Sequence, residues 1–264
     1  MTIPPTASAA VLPFAPPRED GSSMALNPGA LSREPRRMLN AAYSPYLLGS
    51  QLSFMGYSHP LSWGVIGASL LRLGIEDIEG RADDRTRTGG FRAEDDAVGI
   101  AFSRSGLGAH LKFVRQKIDR YSAQGAALDL GYHTRLGDRF PLVVGLSVRN
   151  LGTKMRFLDH SFSLPTTLNV SAFYTVMDAI AVGGGLSRDV NEGTTGFSLG
   201  TQYVVGDALF LRAGYGLASD QRPFELPVPA AGFGVALGEH SIDYAFSPFR
   251  DLGHVHRFSV ALRY

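Results

Sequence analysis

Four groups of residues have types and spacings that chemistry could use. His254 and His256 flank one residue, so on a strand both imidazoles share a face and could ligate a metal. No carboxylate lies nearby in register, and a solvated loop entering the final strand accounts for the pair. Asp83-Asp84 and Glu94-Asp95-Asp96 could offer carboxylate oxygens to calcium. They are interleaved with Arg81, Arg85, Arg87 and Arg92, and an exposed mixed-charge loop explains them better. Gly183-Gly184-Gly185 has the composition of a phosphate loop, but such a loop joins a strand to a helix and is followed by Lys or Ser/Thr. No helix follows here, and glycine suits close approach at a crowded wall. Ser103 to Gly106 lacks the strand–turn–helix setting of a nucleophile elbow. The residues therefore predict no catalytic, metal or cofactor site.

A second set of polar residues follows a different rule. Arg72, Lys112, Asp129, Arg149, Arg212, Asp243 and Arg263 each alternate with apolar neighbours. Alternation is the mark of a strand, whose successive side chains point to opposite faces. In the last segment Phe258, Val260, Leu262 and Tyr264 share one face, while Arg257, Ser259, Ala261 and Arg263 share the other. Leu128, Leu130 and Tyr132 oppose Asp129, Gly131 and His133 in the same way. About fourteen such segments run from 37–43 to 255–264. Residues 1–35, rich in Pro, Ala and Ser, read as an irregular N-terminal arm, and residues 36–264 as the stranded unit.

Composition narrows the setting. The chain has 264 residues, no cysteine, a net charge of +1, 19% charged residues and 31 glycines. A disulfide framework and thiolate metal sites are excluded. The mixed charge offers no basic patch for nucleic acid. Low charge with abundant glycine fits a barrel whose strands face lipid on one side and a crowded lumen on the other. No run of about 18 uncharged apolar residues exists to form a membrane helix. If the apolar faces meet lipid, these seven alternating charges point into the lumen, because a charge facing the mid-bilayer costs about 2–4 kcal/mol. There they brace the wall as ion pairs or serve a substrate or gate.

The connections point the same way. They alternate short and long: short at Ser58-His59-Pro60, Arg104-Ser105-Gly106, Gly137-Asp138-Arg139, Met177-Asp178, Val205-Gly206-Asp207 and Gly238-Glu239; long at 80–95, around Gln124, and at 151–164, 188–194, 218–229 and 248–255. Outer-membrane barrels pair short periplasmic turns with longer extracellular loops and have an even strand count. The sequence thus predicts an all-β fold: a single antiparallel transmembrane barrel of about fourteen strands in a bacterial outer membrane, with both termini on the periplasmic side. Tyr57, Tyr121, Tyr174 and Tyr203 are candidates for interfacial girdles. The first 21 residues lack a basic stretch followed by an apolar one, so the expectation is that the true start lies upstream of Met1.

Several segments resemble the PorV/PorQ group, which is built on the FadL-like barrel. They are Asn27-Pro28-Gly29-Ala30-Leu31, Leu111 to Tyr121 followed by Ala127 to Gly131, Val148-Arg149-Asn150-Leu151-Gly152, Leu164 to Thr167, and Ile242-Asp243-Tyr244-Ala245-Phe246. The resemblance implies a fourteen-stranded barrel without catalysis or cofactors, with Asn27, Pro28, Asn150, Gly152, Asp243 and Tyr244 at its motif positions. It also implies two jobs. One is an accessory role in type IX-like protein secretion, with secreted cargo or secretion-machine proteins as partners. The other is a FadL-like channel for hydrophobic small molecules. A continuous apolar space inside the barrel would mark the channel; a filled lumen and shaped loops would mark the accessory. The glycines, alanines and serines of the polar faces do not decide between them. A soluble all-β binding protein is a third reading, and it predicts solubility without detergent.

Overall fold

The computed structural model describes residues 3–13, 21–33, 35–81, 83, 85–137, 141–177, 179–218, 229–249 and 252–264. The arm contains a short helix α1 (Ala7–Val11), a helical turn α2 (Ser23–Leu26) and a 3-10 turn at Pro28–Ser32. Sixteen strands follow: β1 (Met38–Pro45), β2 (Gln51–Leu61), β3 (Gly64–Arg81), β4 (Arg87–Arg104), β5 (Leu107–Ile118), β6 (Tyr121–Leu136), β7 (Leu142–Gly152), β8 (Met155–Phe157), β9 (His160–Phe162), β10 (Thr167–Met177), β11 (Ile180–Asp189), β12 (Thr195–Val205), β13 (Leu209–Ala218), β14 (Ala230–Leu237), β15 (His240–Pro248) and β16 (His254–Arg263). Fourteen of them close into one antiparallel barrel, sealed where β1 pairs with β16. The remaining two, β8 and β9, form a small hairpin of their own.

The alternation in sequence becomes an inside and an outside. Along β1 and β16 every second residue is buried. The residues between them, together with Met55, Ile66, Leu70, Val98, Ile100, Leu111, Phe113, Leu130, Leu186 and Leu199, leave large apolar side chains exposed around the wall. Such a belt would aggregate in water. In a bilayer it faces acyl chains, while the closed ladder leaves no sheet edge to hydrocarbon. The chain is an outer-membrane barrel in contact with membrane lipid.

Several boundaries differ from those expected. Pro60 is not in a turn: β2 continues through it, pairing Pro60 with Val65, and the turn is Ser62-Trp63. Proline is tolerated there because the strand is about to end. The 80–95 stretch is not a long loop, since β3 and β4 pair almost to their tips at Arg81 and Arg87. Each is 18 residues long, whereas about 9–11 span a bilayer. The distal part stands clear of the membrane, where pairing needs no apolar alternation. The loop expected around Gln124 is instead a tight turn at Asp119-Arg120. The expected turns at Gly137-Asp138-Arg139 and Met177-Asp178 and the 218–229 connection lie partly or wholly outside the described residues.

Two consequences can be measured. Unheated protein folded in detergent should migrate at a different apparent mass from heated protein. Ile100→Arg, in the middle of the lipid-facing belt, should cost about 2–4 kcal/mol of stability in bilayers, whereas Gln124→Arg at the rim should cost about 0–1 kcal/mol; denaturant titration of the refolded variants reads both.

Candidate functional site

The lumen is where the chain's polar chemistry converges, and the N-terminal arm occupies much of it. Helix α1 lies against β13 to β16, and the Pro28–Ser32 turn against β3 to β7. Asn27 organises the second crossing. Its Oδ1 accepts from the Gly29 amide at 3.0 Å, capping the turn, and its Nδ2 donates to the Tyr132 carbonyl at 3.0 Å. Pro28 fits the first position of such a turn, where no N–H is needed. The facing wall is stripped of side chains: a Cβ on Gly108 would fall on the Pro28 backbone, and one on Gly131 would strike the Asn27 amide. Gly214 plays the same part beneath the Val11 carbonyl.

An irregular segment inside a barrel must find partners for its backbone groups, and the wall's polar side chains supply them. Ser103 donates to the Gly29 carbonyl at 3.1 Å, Ser147 to Leu26 at 3.0 Å and Arg149 to Ala25 at 3.3 Å. The Gly106 amide donates to the Ser32 hydroxyl at 3.0 Å, and the Ala7 amide to Ser259 at 3.2 Å. Much of the inner polarity thus serves to hold the arm.

Of the seven charges expected to face inward, six lie on the inner side. Asp129 is wholly buried and takes the Lys112 ammonium at 2.7 Å and the Asn150 amide at 2.7 Å. The last contact closes an interruption in the β6–β7 ladder, where Arg149 and Asn150 together oppose Asp129. Asn150 takes a positive φ of 59°, a conformation asparagine tolerates better than most residues. This is a β-bulge with a carboxylate standing in for the missing ladder acceptor. Arg149 reaches Thr167 as well as the arm. On the other side of the lumen Arg212 pairs with Asp243 at 2.5 Å and donates to Gln202 at 2.8 Å. Arg263 caps the Glu239 carbonyl at 2.9 Å near the periplasmic rim.

Arg72 is the exception. It is on the outward face, paired with Asp96 at 2.6 Å and half exposed. The run Leu70-Leu71-Arg72-Leu73 is apolar on both sides, so alternation could not place it. Among the motif positions, Asn27 and Pro28 are in the lumen, and Asn150 is the bulge. Gly152 gives room to Leu164. Asp243 holds Arg212, and Tyr244 faces outward beside Phe233 and Phe258. His254 and His256 share the outward face of β16, where His256 bonds the Tyr244 hydroxyl at 2.8 Å. No group of three metal-ligating side chains occurs among the described residues.

An apolar cluster inside the barrel was not foreseen from the sequence. Leu52, Phe54, Leu71, Val114, Met155 and Leu164 form a buried cluster inside the extracellular half of the barrel. Met155 belongs to the β8–β9 excursion, which folds back over the mouth and packs where Gly125 leaves space. A cavity of about 200 Å³ opens beside it, lined by Ala97, Val114, Phe162 and Leu164 with Asp95 and Gln116. Beyond the arm, at the periplasmic end, a second space of about 470 Å³ is lined by Phe173, Val143 and His133 with Arg33 and Arg135. A third, of about 120 Å³, lies between the arm and the serine- and glycine-rich face of β7 and β10 to β12. The signal for the cluster was present in the alternation of β2, where Leu52 and Phe54 put large apolar groups on the buried face.

The arm and the buried pair give two tests. Gly108→Val should drive Pro28 off the wall, and trypsin cleavage after Arg33 should rise severalfold in the folded barrel. Arg212→Ala should destabilise by about 3–5 kcal/mol, while Arg212→Met combined with Asp243→Leu should recover most of the loss, as read by thermal unfolding in detergent.

No protein-family model and no curated protein matches the sequence. Solved structures do match over nearly the whole chain. The CymD monoaromatic hydrocarbon channel aligns with a TM-score of 0.71 at 13% identity, covering 98% of this chain and 97% of that one. The Pseudomonas putida toluene transporter TodX gives 0.69 at 13% identity, covering 97% and 95%. A Pseudomonas aeruginosa FadL homologue gives 0.65 at 13% identity, covering 98% of each. Two of these proteins are named as a hydrocarbon channel and a toluene transporter. The matches overturn the PorV/PorQ assignment and, with it, the secretion role. The short motifs behind that assignment turn out to be geometric: they dock an arm, make a bulge and pair two charges, which barrels with other jobs also need. The chain has the fourteen-stranded fold of the FadL-type hydrocarbon channels.

Proposed function

We propose that this barrel is a channel that admits small hydrophobic molecules across the outer membrane. The observation that carries the reading is the apolar side of the lumen in the extracellular half, where Leu52, Phe54, Val114 and Met155 pack together beside a cavity of about 200 Å³ that Val114, Phe162 and Leu164 border. An open porin lumen is polar and water-filled. A cavity bordered by apolar side chains instead offers a hydrophobic solute a place to leave water, worth about 25 cal/mol per Å² buried. The likeness in fold to hydrocarbon channels supports it.

In this reading the two parts of the chain divide the work. Residues 36–264 supply the wall, and the described parts of the arm, 3–13 and 21–33, act as a plug between the apolar cavity and the periplasmic space. Charges that hold the arm, Arg149 above all, keep the plug seated, so passage requires the arm to shift. The Asp129–Lys112–Asn150 knot keeps the wall intact around the bulge.

The test is uptake of labelled toluene by cells that lack a hydrocarbon channel of their own. Expression of this protein should raise uptake severalfold over an empty barrel-free control. Phe54→Asn, folded normally by heat-modifiable migration, should lower it about tenfold, the factor that 1.4 kcal/mol of lost partitioning gives. Uptake equal to the control would refute the proposal.

A further inference from the structure

The outward face changes character at one level on β3 to β6. Going toward the extracellular end, β4 presents Phe102, Ile100 and Val98 and then Asp96; β5 presents Leu111 and Phe113 and then Arg115 and Lys117. On β6, Leu130 and Leu128 give way to Gln124 and Ser122. Counting from the periplasmic turns, the switch falls at the ninth residue of β4 and β5 and between the ninth and the thirteenth of β6, near the roughly 9–11 residues after which a strand leaves the hydrocarbon. They mark the rim of the extracellular leaflet.

At that rim the charges are unevenly matched. Cross-strand pairing sets Arg72, Asp96, Arg115 and Gln124 in one row, and Gly74, Glu94, Lys117 and Ser122 in the next. Asp96 is engaged by Arg72. Among the described residues Arg115 and Lys117 have no carboxylate within 4.0 Å, and no acid neighbours them on the β6 side. Arg120 stands over the Tyr121 ring in the adjoining turn. Arg115 is exposed and Lys117 half-buried on the outside of the wall, opposite Asp96 and Glu94 across the β4–β5 ladder, and neither holds the arm or the bulge. Surplus charge at a membrane surface is attracted by anionic headgroups, whereas a charge below it would be expelled.

We infer that Arg115 and Lys117, flanked by Gln124, Ser122 and Arg72, form a binding site for the phosphate groups of a phosphorylated lipid in the extracellular leaflet. The lipid's acyl chains lie along Leu111, Phe113, Leu128 and Leu130. One two-residue step of the strand, about 7 Å, carries the contact from Phe113 to Arg115, so a ligand with chains on the first presents its headgroup to the second. Guanidinium and ammonium together suit phosphate, with Arg115 able to bond it through two N–H groups. The site is independent of what passes through the lumen.

The experiment titrates the barrel, folded in a zwitterionic detergent, with bisphosphorylated lipid A, with the same lipid dephosphorylated, and with inorganic phosphate, following binding by native mass spectrometry. The phosphorylated lipid should bind best. Arg115→Gln combined with Lys117→Gln should weaken it about 25-fold, about fivefold for each charge removed, while leaving the dephosphorylated lipid unaffected. Asp96→Asn, which removes the acid that competes for the cations, should tighten binding. Free phosphate should compete only weakly because it lacks the chains. Equal binding of the two lipids, an unchanged affinity in the double variant, or competition by phosphate as effective as the lipid itself would each overturn the site. Heat-modifiable migration confirms that the variants are folded.

Discussion

A backbone N–H in hydrocarbon has no water to turn to, so a sheet that crosses a membrane must pair with itself until no edge remains. Everything else in this molecule follows from that closure. Fourteen strands close only if β1 meets β16, which puts both ends of the barrel strand order at the periplasmic side and the arm at the lumen entrance. Closure also divides every strand into a lipid face and a lumen face, and the two obey opposite rules. Outside, large apolar groups are exposed to acyl chains. Inside, space is scarce, and glycine, serine and paired charges occupy it.

The arm turns this scarcity into a partition. It crosses the lumen twice, each time over wall glycines that leave no room for a side chain, and its carbonyls are taken up by Ser103, Ser147 and Arg149. Above it lie the apolar cluster of Leu52, Phe54 and Met155 and the cavity beside Val114 and Leu164; below it lies the wider periplasmic space. The partition separates an apolar compartment from a more polar one.

The barrel was legible in the sequence because lipid enforces alternation: strand positions such as Phe258–Tyr264 and Leu128–Tyr132 had to be two-faced. Legibility failed where that rule relaxes. Above the membrane, β3 and β4 pair with no apolar period, so the 80–95 stretch looked like a loop. At Leu70–Leu73 both faces are apolar, so Arg72 was assigned to the wrong side. The division of labour inside the lumen was harder still. Leu52 and Phe54 alternate correctly, but nothing local says that their inner face joins an apolar cluster, since Met155 and Leu164 reach it from far along the chain. Family-like motifs misled for the reverse reason. Asn27-Pro28-Gly29 and Arg149-Asn150 record how an arm is seated and a ladder is interrupted, and those demands are blind to what the barrel carries.

A channel for hydrophobic solutes must accept one in the apolar cavity beside Val114 and Leu164. A crystal of the protein soaked with bromobenzene, with the bromine located by its anomalous signal, tests this most directly. A peak is expected in the cavity bordered by Val114, Phe162 and Leu164, on the extracellular side of the arm. Bromine found only on the lipid-facing belt, with the cavity empty, would contradict the channel reading.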